Sequence, residues 1–348
     1  MRQKSRKVSS NWIRIQAKKE FLALQAQSPA EWGKKTFRAS YGWMMRFMKR
    51  KNIKYKKRKC GKEKTAEECI PEFEQHLAKV RFDFLQPREE DGGAGRDSIW
   101  GRFPPECRYN MDQVPLPFVC RQDHTFCEGD DDDVNIKSPS ERLRKRQFTM
   151  HVVVNAGTGD KKQGWVDLVA KGTGKHIRQC EKDLWDNEID MFWQKNAWVD
   201  TPVMLELAGK FVRKKNEVHG EDTWVLMYCD NLKAQVADEV KRIFGDNKVL
   251  LCYLPLGTTN FTQAIDAGHG RSLRAAIGHS LDKWLMDGDN MERWEGTMTA
   301  EERRILTTKL VASANRIVMS DDNDGMRVGC FERTGMLIAM LVMDDIKN

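Results

Sequence analysis

The pattern of apolar and polar positions divides the chain into a helical N-terminal part and a longer part in which strands and helices alternate. Residues 8–27 carry apolar side chains at helical spacing, and Ser28-Pro29 predicts a turn into the next helix. Four further apolar side chains fall at i, i+4, i+7 and i+11 and predict the buried stripe of a later helix: Phe37, Tyr41, Met44 and Met48. Short helices, a tight turn and a basic last helix are typical of a helix-turn-helix that enters the DNA major groove. A solvated helical bundle with a basic face is the alternative interpretation.

The rest of the chain predicts an α/β domain. Residues 65–85 indicate one more helix, and residues 86–98 form a polar, glycine-rich linker. The elements then predicted are strands at 108–112 (stopped by Pro115), 148–155 and 165–170, a helix at 200–215, a strand at 223–229, a helix at 232–244, a strand at 248–254 and a helix at 264–286. Three strands, helix, strand, helix, strand, helix is the order of a ribonuclease-H-like domain. We therefore predict an N-terminal all-α helix-turn-helix domain at 1–64, a connector and linker at 65–98 and a ribonuclease-H-like domain at 99–348.

Charge is distributed unevenly along the chain, whose net charge is +8. Residues 1–64 carry 21 Lys/Arg and 3 Asp/Glu, a net +18, whereas the remainder carries 38 and 48, a net −10. A basic head on an acidic body indicates that the head binds a polyanion. The candidate DNA-binding residues are Arg38, Arg46, Lys49, Arg50, Lys51, Lys54, Lys56, Lys57 and Arg58. The basic cluster from Lys54 to Lys64 also fits a nuclear localisation signal, so we expect a nuclear protein. No run of 18 apolar residues occurs, so we expect no membrane partner.

Three aspartates stand at positions that the predicted strand order would bring together. Asp112 ends the first strand, Asp230 follows the strand after the first helix, and Asp266 lies in the first turn of the last helix. Three converging carboxylates repel one another unless cations fill the site, and oxygen-only ligands suit Mg²⁺ or Mn²⁺. We therefore predict that the three bind two such ions and catalyse phosphodiester chemistry. Each aspartate taken alone is more typical of a turn, a helix cap or a helix-dipole partner than of a metal site, and only the three together favour the metal site.

Short motifs surround these aspartates. Asp112 lies in NMDQVPL at 110–116, Asp230 in Cys229-Asp230-Asn231, and Asp266 in LPLGTTNFTQAIDAG at 254–268. Together they resemble the three motifs of DDE-superfamily transposases of the mariner/pogo type, and the 36 positions between Asp230 and Asp266 are in keeping with that family. Residues 38–47 resemble the second helix-turn-helix of pogo and centromere-protein-B relatives, and residues 326–335 resemble a C-terminal segment of the family. The resemblance covers about residues 30–340.

The resemblance implies an enzyme: a Mg-dependent DDE (here Asp-Asp-Asp) transposase. It implies that the head binds double-stranded DNA at terminal inverted repeats and that Asp112, Asp230 and Asp266 carry out metal-dependent cleavage and strand transfer into target DNA at TA dinucleotides. It also implies a homodimer on DNA. The alternative is a domesticated, transposase-derived protein that binds DNA without cutting it.

Three other groups of residues give weaker indications of a functional site. Residues 172–176 are not a P-loop, because Val169 stands where the first glycine of that motif would fall. Cys107, Cys120, His124 and Cys127 lack the paired spacing of a zinc site. The aromatic side chains Trp185, Phe192, Trp193 and Trp198 are interpreted as packing, with stacking on an unpaired base as the alternative.

Overall fold

The computed structural model describes residues 10–57, 66–88, 99–116, 124–128 and 148–339. Contacts divide the chain into two compact units. The first contains residues 1–62, 117–145 and 278–302, and the second contains residues 63–116, 146–277 and 303–348. The predicted division at residues 64 and 98 stays a prediction, and most of the predicted linker lies outside the described residues.

The first unit begins with three helices, Ser10–Gln27, Pro29–Trp32 and Tyr41–Arg50. Ser40 caps the third helix, because its hydroxyl accepts a hydrogen bond from the backbone N of Trp43 at 3.2 Å. The predicted stripe is wrong in its first half: Phe37 precedes the helix and Tyr41 is 64% exposed. The helix begins only after the cap, so its inward face starts later, and its buried side chains are Met44 and Met48.

A small core holds the first three helices together. Ile13, Met44 and Met48 are buried, and Trp12, Trp43, Phe47 and Ile53 pack against them. The segment after the third helix was predicted only as a basic tail. Instead, strand β1 (Ile53–Lys57) pairs antiparallel with strand β3 (His124–Glu128). Later in the sequence, the first unit also contains the short helix Asn290–Glu292 and the π-helical turn Arg293–Thr297.

A six-stranded sheet forms the centre of the second unit, in the order β6-β5-β4-β2-β7-β8. Its strands are β2 (Arg108–Leu116), β4 (Phe148–Asn155), β5 (Gly164–Lys171), β6 (Met191–Gln194), β7 (Val225–Cys229) and β8 (Val249–Tyr253). The first three form an antiparallel meander, while β6, β7 and β8 pair in parallel with their neighbours. Without the short edge strand β6, which the sequence did not predict, the order is the ribonuclease-H-like one. The predicted fold class is thereby confirmed.

The second unit also contains the helices Ala66–Lys79 with the π-helical turn Val80–Phe84, Gln179–Lys182, Thr201–His219, Asp238–Asp246, Thr259–Thr262 and Asp324–Arg333, whereas the helices Gly270–Leu285 and Ala300–Val318 each have residues in both units. Short 3-10 turns add Pro105–Cys107, Gly159–Lys161 and Asp321–Asn323. The ring of Phe211, on the helix that follows β6, packs edge-on against Tyr109 of β2 and against Phe244 at 5.7 Å. None of the helices in the described parts of the chain is long and apolar enough to cross a membrane.

Buried arginine fixes the start of β2. Arg108 is fully buried, and its guanidinium donates to the carbonyl oxygens of Trp100, Phe103, Met336 and Ile338 at 2.8–3.0 Å. Four carbonyl partners satisfy most of the donors of a guanidinium, which allows this group to lie in the core. The strand that carries Asp112 is therefore anchored at its first residue by a segment that precedes it in the sequence and by one near the C-terminus.

Three predicted boundaries are wrong, each for a local reason. The strand β2 continues through Pro115, because beyond Asn110 it pairs with β4 alone and tolerates proline as an edge strand does. The helix predicted at 232–244 begins at Asp238, since a turn occupies residues 233–236. The helix predicted at 264–286 is broken at Gly268, whose backbone is not helical, into a π-helical turn at Ile265–His269 and the helix Gly270–Leu285.

Candidate active site

The three predicted aspartates lie near the point where the pairing between two central strands, β2 and β7, ends. Asp112 lies within β2, Asp230 directly follows β7, and Asp266 lies in the π-helical turn Ile265–His269, which contacts β2. The strands β2 and β7 pair in parallel up to Asn110 and Tyr228. The pairing therefore ends two residues before each aspartate, and the two carboxylates follow the last rung of the ladder.

Burial raises the pKa of all three carboxylates, and neighbouring negative charges add to the shift at two of them. Burial, the negative charge of Asp266 and the negative charge of Asp230 raise the pKa of Asp112 to about 7. Burial and the charge of Asp266 also raise the pKa of Asp230. Burial raises the pKa of Asp266 too, although the guanidinium of Arg274 opposes that shift. The charge of Asp266 thus destabilises the charged forms of Asp112 and Asp230, and the charge of Asp230 further destabilises that of Asp112.

Hydrogen-bond donors oppose this repulsion at two of the three aspartates. The backbone N of Gln113 donates to Asp112 Oδ1 at 2.6 Å, and the side chain of Gln263 hydrogen-bonds the same carboxylate. The backbone N of Leu232 donates to Asp230 Oδ1 at 3.2 Å. Each donor lowers the pKa of its aspartate and so favours the ionised form that would bind a cation.

The three carboxylates are chemically suited to bind a hard divalent cation, but their spacing in this structure is not that of a metal site. All three groups are carboxylates, and oxygen ligands are those that Mg²⁺ and Mn²⁺ prefer. Within the described residues, no group of three or more His, Cys, Asp or Glu side chains is spaced to hold a metal ion as it stands. A cation would relieve the charge repulsion that raises the pKa of Asp112, which is the physical reason to expect one here.

The alternative zinc ligands gain no support. Cys107 is the one member of that set whose side chain is described, and burial raises the pKa of its thiol to about 12. A zinc ligand must be a thiolate, which so high a pKa disfavours.

Sequence reasoning missed three amide side chains around the aspartates. Asn110 donates from Nδ2 to the carbonyl oxygen of Tyr228 at 3.0 Å and accepts at Oδ1 from the backbone N of Ile265 at 3.0 Å. Gln263 donates to the carbonyl oxygen of Met111 at 3.4 Å. The buried Gln235 has its amide nitrogen, in the orientation that satisfies its neighbours, 2.8 Å from the backbone oxygen of Asp230 and against its carboxylate.

A signal for two of these residues was present in the sequence. Asn110 and Gln263 both lie inside the quoted motifs around Asp112 and Asp266, where attention went to the acidic residues alone. A third motif residue, Asn231, donates to the carbonyl oxygen of Leu254 at 2.6 Å and ties the end of β7 to the end of β8. The motifs therefore contain amides that fix backbone segments as well as carboxylates.

The predicted DNA-binding residues lie on the first unit. The side chains of Arg38, Arg46, Lys49, Arg50 and Lys51 are all exposed. Arg46, Lys49 and Arg50 belong to the helix Tyr41–Arg50, whose opposite face is buried. Arg58 lies outside the described residues. Lys54, Lys56 and Lys57 lie on β1, and nothing further is described of their side chains.

The aromatic residues near β6 do not form an open stacking platform at Trp193. A Cβ added to Gly174 would meet the Trp193 indole at 2.6 Å, so the glycine turn lies flat against one side of the ring. The guanidinium of Arg304 lies 5.9 Å from the ring centroid. These contacts favour the packing interpretation for Trp193, while Trp198 is 61% exposed.

Two family models match the chain. Residues 1–57 match the Tc5 transposase DNA-binding domain, and residues 145–310 match the DDE superfamily endonuclease model. The second match contains Asp230 and Asp266 and begins after Asp112. It includes five of the six strands of the central sheet.

Solved structures show a more distant likeness. The Mos1 transposase paired-end complex with left transposon end is 14% identical, with a TM-score of 0.37 over 87% of this chain and 78% of that chain. The Mos1 strand transfer complex is 12% identical, with a TM-score of 0.35 over 85% of this chain and 77% of that one. The catalytic domain of Mos1 mariner transposase is 14% identical, with a TM-score of 0.31 over 76% of this chain and 98% of that one. No curated protein matches significantly. Because these TM-scores are low, the assignment of a family to this chain rests on the two family models alone.

Proposed function

We propose that this chain catalyses DNA transposition. It joins a transposase DNA-binding domain to a DDE superfamily endonuclease domain and is thereby a DDE-superfamily transposase. It cuts DNA at the ends of a transposable element and joins the freed ends to target DNA. The observation that supports this reaction most directly is the group formed by Asp112, Asp230 and Asp266 where the pairing of β2 with β7 ends: burial raises the pKa of all three, and the charge of Asp266 raises the pKa of Asp112 and Asp230 further.

In this proposal the three carboxylates hold two divalent cations, Mg²⁺ or Mn²⁺. Such a pair, when bound about 4 Å apart, activates an attacking water or hydroxyl and stabilises the leaving oxygen of a phosphodiester. The chain's own residues make the site possible. The backbone N–H groups of Gln113 and Leu232 donate to Asp112 and Asp230 and favour the charged form of both carboxylates. The sheet sets the separation of these two carboxylates, because they follow paired residues of adjacent strands.

Recognition of the terminal repeats is assigned to the N-terminal unit. The exposed basic residues of the helix Tyr41–Arg50 face away from its buried methionines, which leaves them free to contact phosphates and base edges. Two element ends must be brought together for transposition, so we propose that the chain acts as a homodimer on DNA. A nuclear location belongs to the same proposal.

The test is cleavage of a labelled duplex that carries the element's terminal inverted repeats, with Mg²⁺ or Mn²⁺. Wild type is compared with Asp112→Asn and with Asp160→Asn, which makes the same change in an exposed turn. We expect cuts at the repeat boundary by wild type and the control variant and none by Asp112→Asn. Equal cutting by all three proteins would overturn the assignment of Asp112.

A transposase-derived binding protein without cleavage activity is the second candidate. One observation favours it: no three acidic or other ligating side chains among the described residues stand at metal-binding spacing. Under this alternative the same experiment gives tight, salt-sensitive binding of the repeats and no cut by wild type in either metal.

A further inference from the structure

Asp112, Asp230 and Asp266 lie on three separate segments of the chain. The buried side chain of Asn110, on the segment of Asp112, hydrogen-bonds to the segments of the other two. Asn110 is two residues before Asp112 on β2, so both side chains point to the same face of the sheet. Asn110 is fully buried. Its side chain makes three hydrogen bonds to backbone groups: a long one of 3.4 Å to the carbonyl oxygen of the adjacent Met111, and two of 3.0 Å that reach Tyr228 on β7 and Ile265 in the π-helical turn.

These contacts lie immediately beside the other two aspartates. Tyr228 is two residues before Asp230, and Ile265 directly precedes Asp266. The bonds join residues that are 118 and 155 positions apart in sequence. Neither bond is part of the sheet ladder, which between β2 and β7 ends at Asn110 and Tyr228. The side chain therefore provides a further connection between the strands at the end of the ladder.

The bond to Ile265 also satisfies a buried backbone donor. Ile265 is fully buried, and its N–H lies at the start of a helical turn, where backbone donors lack partners within the turn. A buried N–H without an acceptor is costly, so loss of the Asn110 carbonyl would favour movement of this segment. Such movement would shift Asp266 relative to Asp112, because the two are connected here through Asn110.

We propose that Asn110 is a positioning residue that holds the segments of Asp112, Asp230 and Asp266 in the arrangement needed to bind divalent cations. The inference rests on the proposed function of that site. It predicts that removing the Asn110 amide weakens metal binding even when the protein remains folded. Residues that orient metal ligands typically change metal affinity by about 10–100-fold when they are replaced.

The sheet contains a matched control, Asn155 at the end of β4. It is also fully buried. Its Nδ2 donates to the carbonyl oxygens of Glu106 and Lys161, each at 2.8 Å, and its Oδ1 accepts from the backbone N of Gln163 at 2.8 Å. Asn155 thus makes as many backbone bonds as Asn110, but none of them involves a segment that carries one of the three aspartates next to its carboxylate. A loss of general stability is expected from either replacement.

The experiment measures Mn²⁺ binding to the full-length protein by the electron paramagnetic resonance of free Mn²⁺, without DNA. The proteins are wild type, Asp112→Asn, Asn110→Ala and Asn155→Ala, with folding checked by urea denaturation. We expect Asn110→Ala to weaken Mn²⁺ binding about 10–100-fold and Asn155→Ala to change it less than about twofold. If Asn110→Ala does not fold, Asn110→Ser replaces it, because a hydroxyl keeps a polar group but cannot reach both partners.

The outcomes separate this inference from the proposed function. If wild type shows no Mn²⁺ binding that Asp112→Asn removes, the proposed metal site fails and the inference fails with it. If that binding is present and the Asn110 variant binds Mn²⁺ like wild type, only the positioning role of Asn110 is wrong. Equal weakening by the Asn110 and Asn155 variants would assign Asn110 a structural role alone.

Discussion

Removing a carboxylate from the acidic group should stabilise the metal-free protein. Asp112 has a raised pKa of about 7 because its charge is buried beside the charges of Asp266 and Asp230. In the unfolded chain its pKa returns to the ordinary value near 3.9, so between these values the folded state binds more protons. The stability cost of Asp112 therefore grows as the pH rises from about 4 to about 7 and is constant above that. Asp112→Asn removes the charge and with it this cost.

The size of the effect follows from the shift. Each pKa unit corresponds to about 1.4 kcal/mol, so a rise of about three units costs about 4 kcal/mol at pH 8. At pH 5 only about one unit of the difference applies, and the cost is about 1.5 kcal/mol. These values are upper limits, because an asparagine weakens the hydrogen bond that Asp112 Oδ1 accepts from the backbone N of Gln113. The gain should therefore be larger at pH 8 than at pH 5 by about 2–3 kcal/mol.

Urea denaturation in EDTA at both pH values measures this gain. Asp167→Asn is the matched control with the opposite expected sign, since Asp167 is also buried but lies 2.5 Å from the ammonium group of Lys210. Removing one partner of a buried ion pair destabilises by about 3–5 kcal/mol. Asp190, 2.6 Å from the same ammonium group, should limit the loss to the lower end of that range. A gain for Asp112→Asn that is absent, or equal at both pH values, would refute the electrostatic account.

Three further results are expected. Gly174→Ala should lower the free energy of unfolding by about 1–3 kcal/mol in urea, because Gly174 has φ +68° and a Cβ would meet Trp193 at 2.6 Å; an unchanged midpoint contradicts this contact. Burial, then the charge of Arg327, lowers the pKa of His269 to about 4. Because the unfolded state then binds more protons, stability should fall as the pH drops from about 6.5 to about 4, and His269→Gln should flatten that part of the pH curve. Replacing Arg46 by Ala should reduce the salt slope of repeat binding, measured by fluorescence anisotropy, by about one, and an unchanged slope removes it from the phosphate contacts.

The strand order was predictable because the central strands have clear local signals. The residues of β4 are buried throughout, and the sequence shows them as an apolar run followed by a glycine-containing turn and a second apolar run. Once the meander and the later βα units were recognised, their order alone placed Asp112 next to Asp230. The observed sheet order confirms the fold class that this reasoning predicted, whereas the catalytic roles of the three aspartates remain a prediction.

Features that depend on distant contacts were not predictable from periodicity. The strand β6 has four residues, too few to show alternation, and it exists because Leu168 to Lys171 of β5 provide a partner. The break at Gly268 reflects close packing, since a Cβ there would lie 2.9 Å from Cys330 Sγ. Asn110 was visible in the sequence only as one residue of a motif, because the partners that reveal its role, Tyr228 and Ile265, are more than 100 positions away.

The central claim is that Asp112, Asp230 and Asp266 act together in metal-dependent DNA cleavage. The measurement that tests it most directly is cleavage of a labelled terminal-repeat duplex in Mg²⁺ or Mn²⁺ by wild type and by each of the three Asp→Asn variants, with repeat binding measured in parallel. The account predicts that wild type cuts at the repeat boundary and that each variant binds the repeats as tightly but does not cut. Cleavage that survives any one of the three replacements, or a wild type that binds tightly and never cuts, would contradict it.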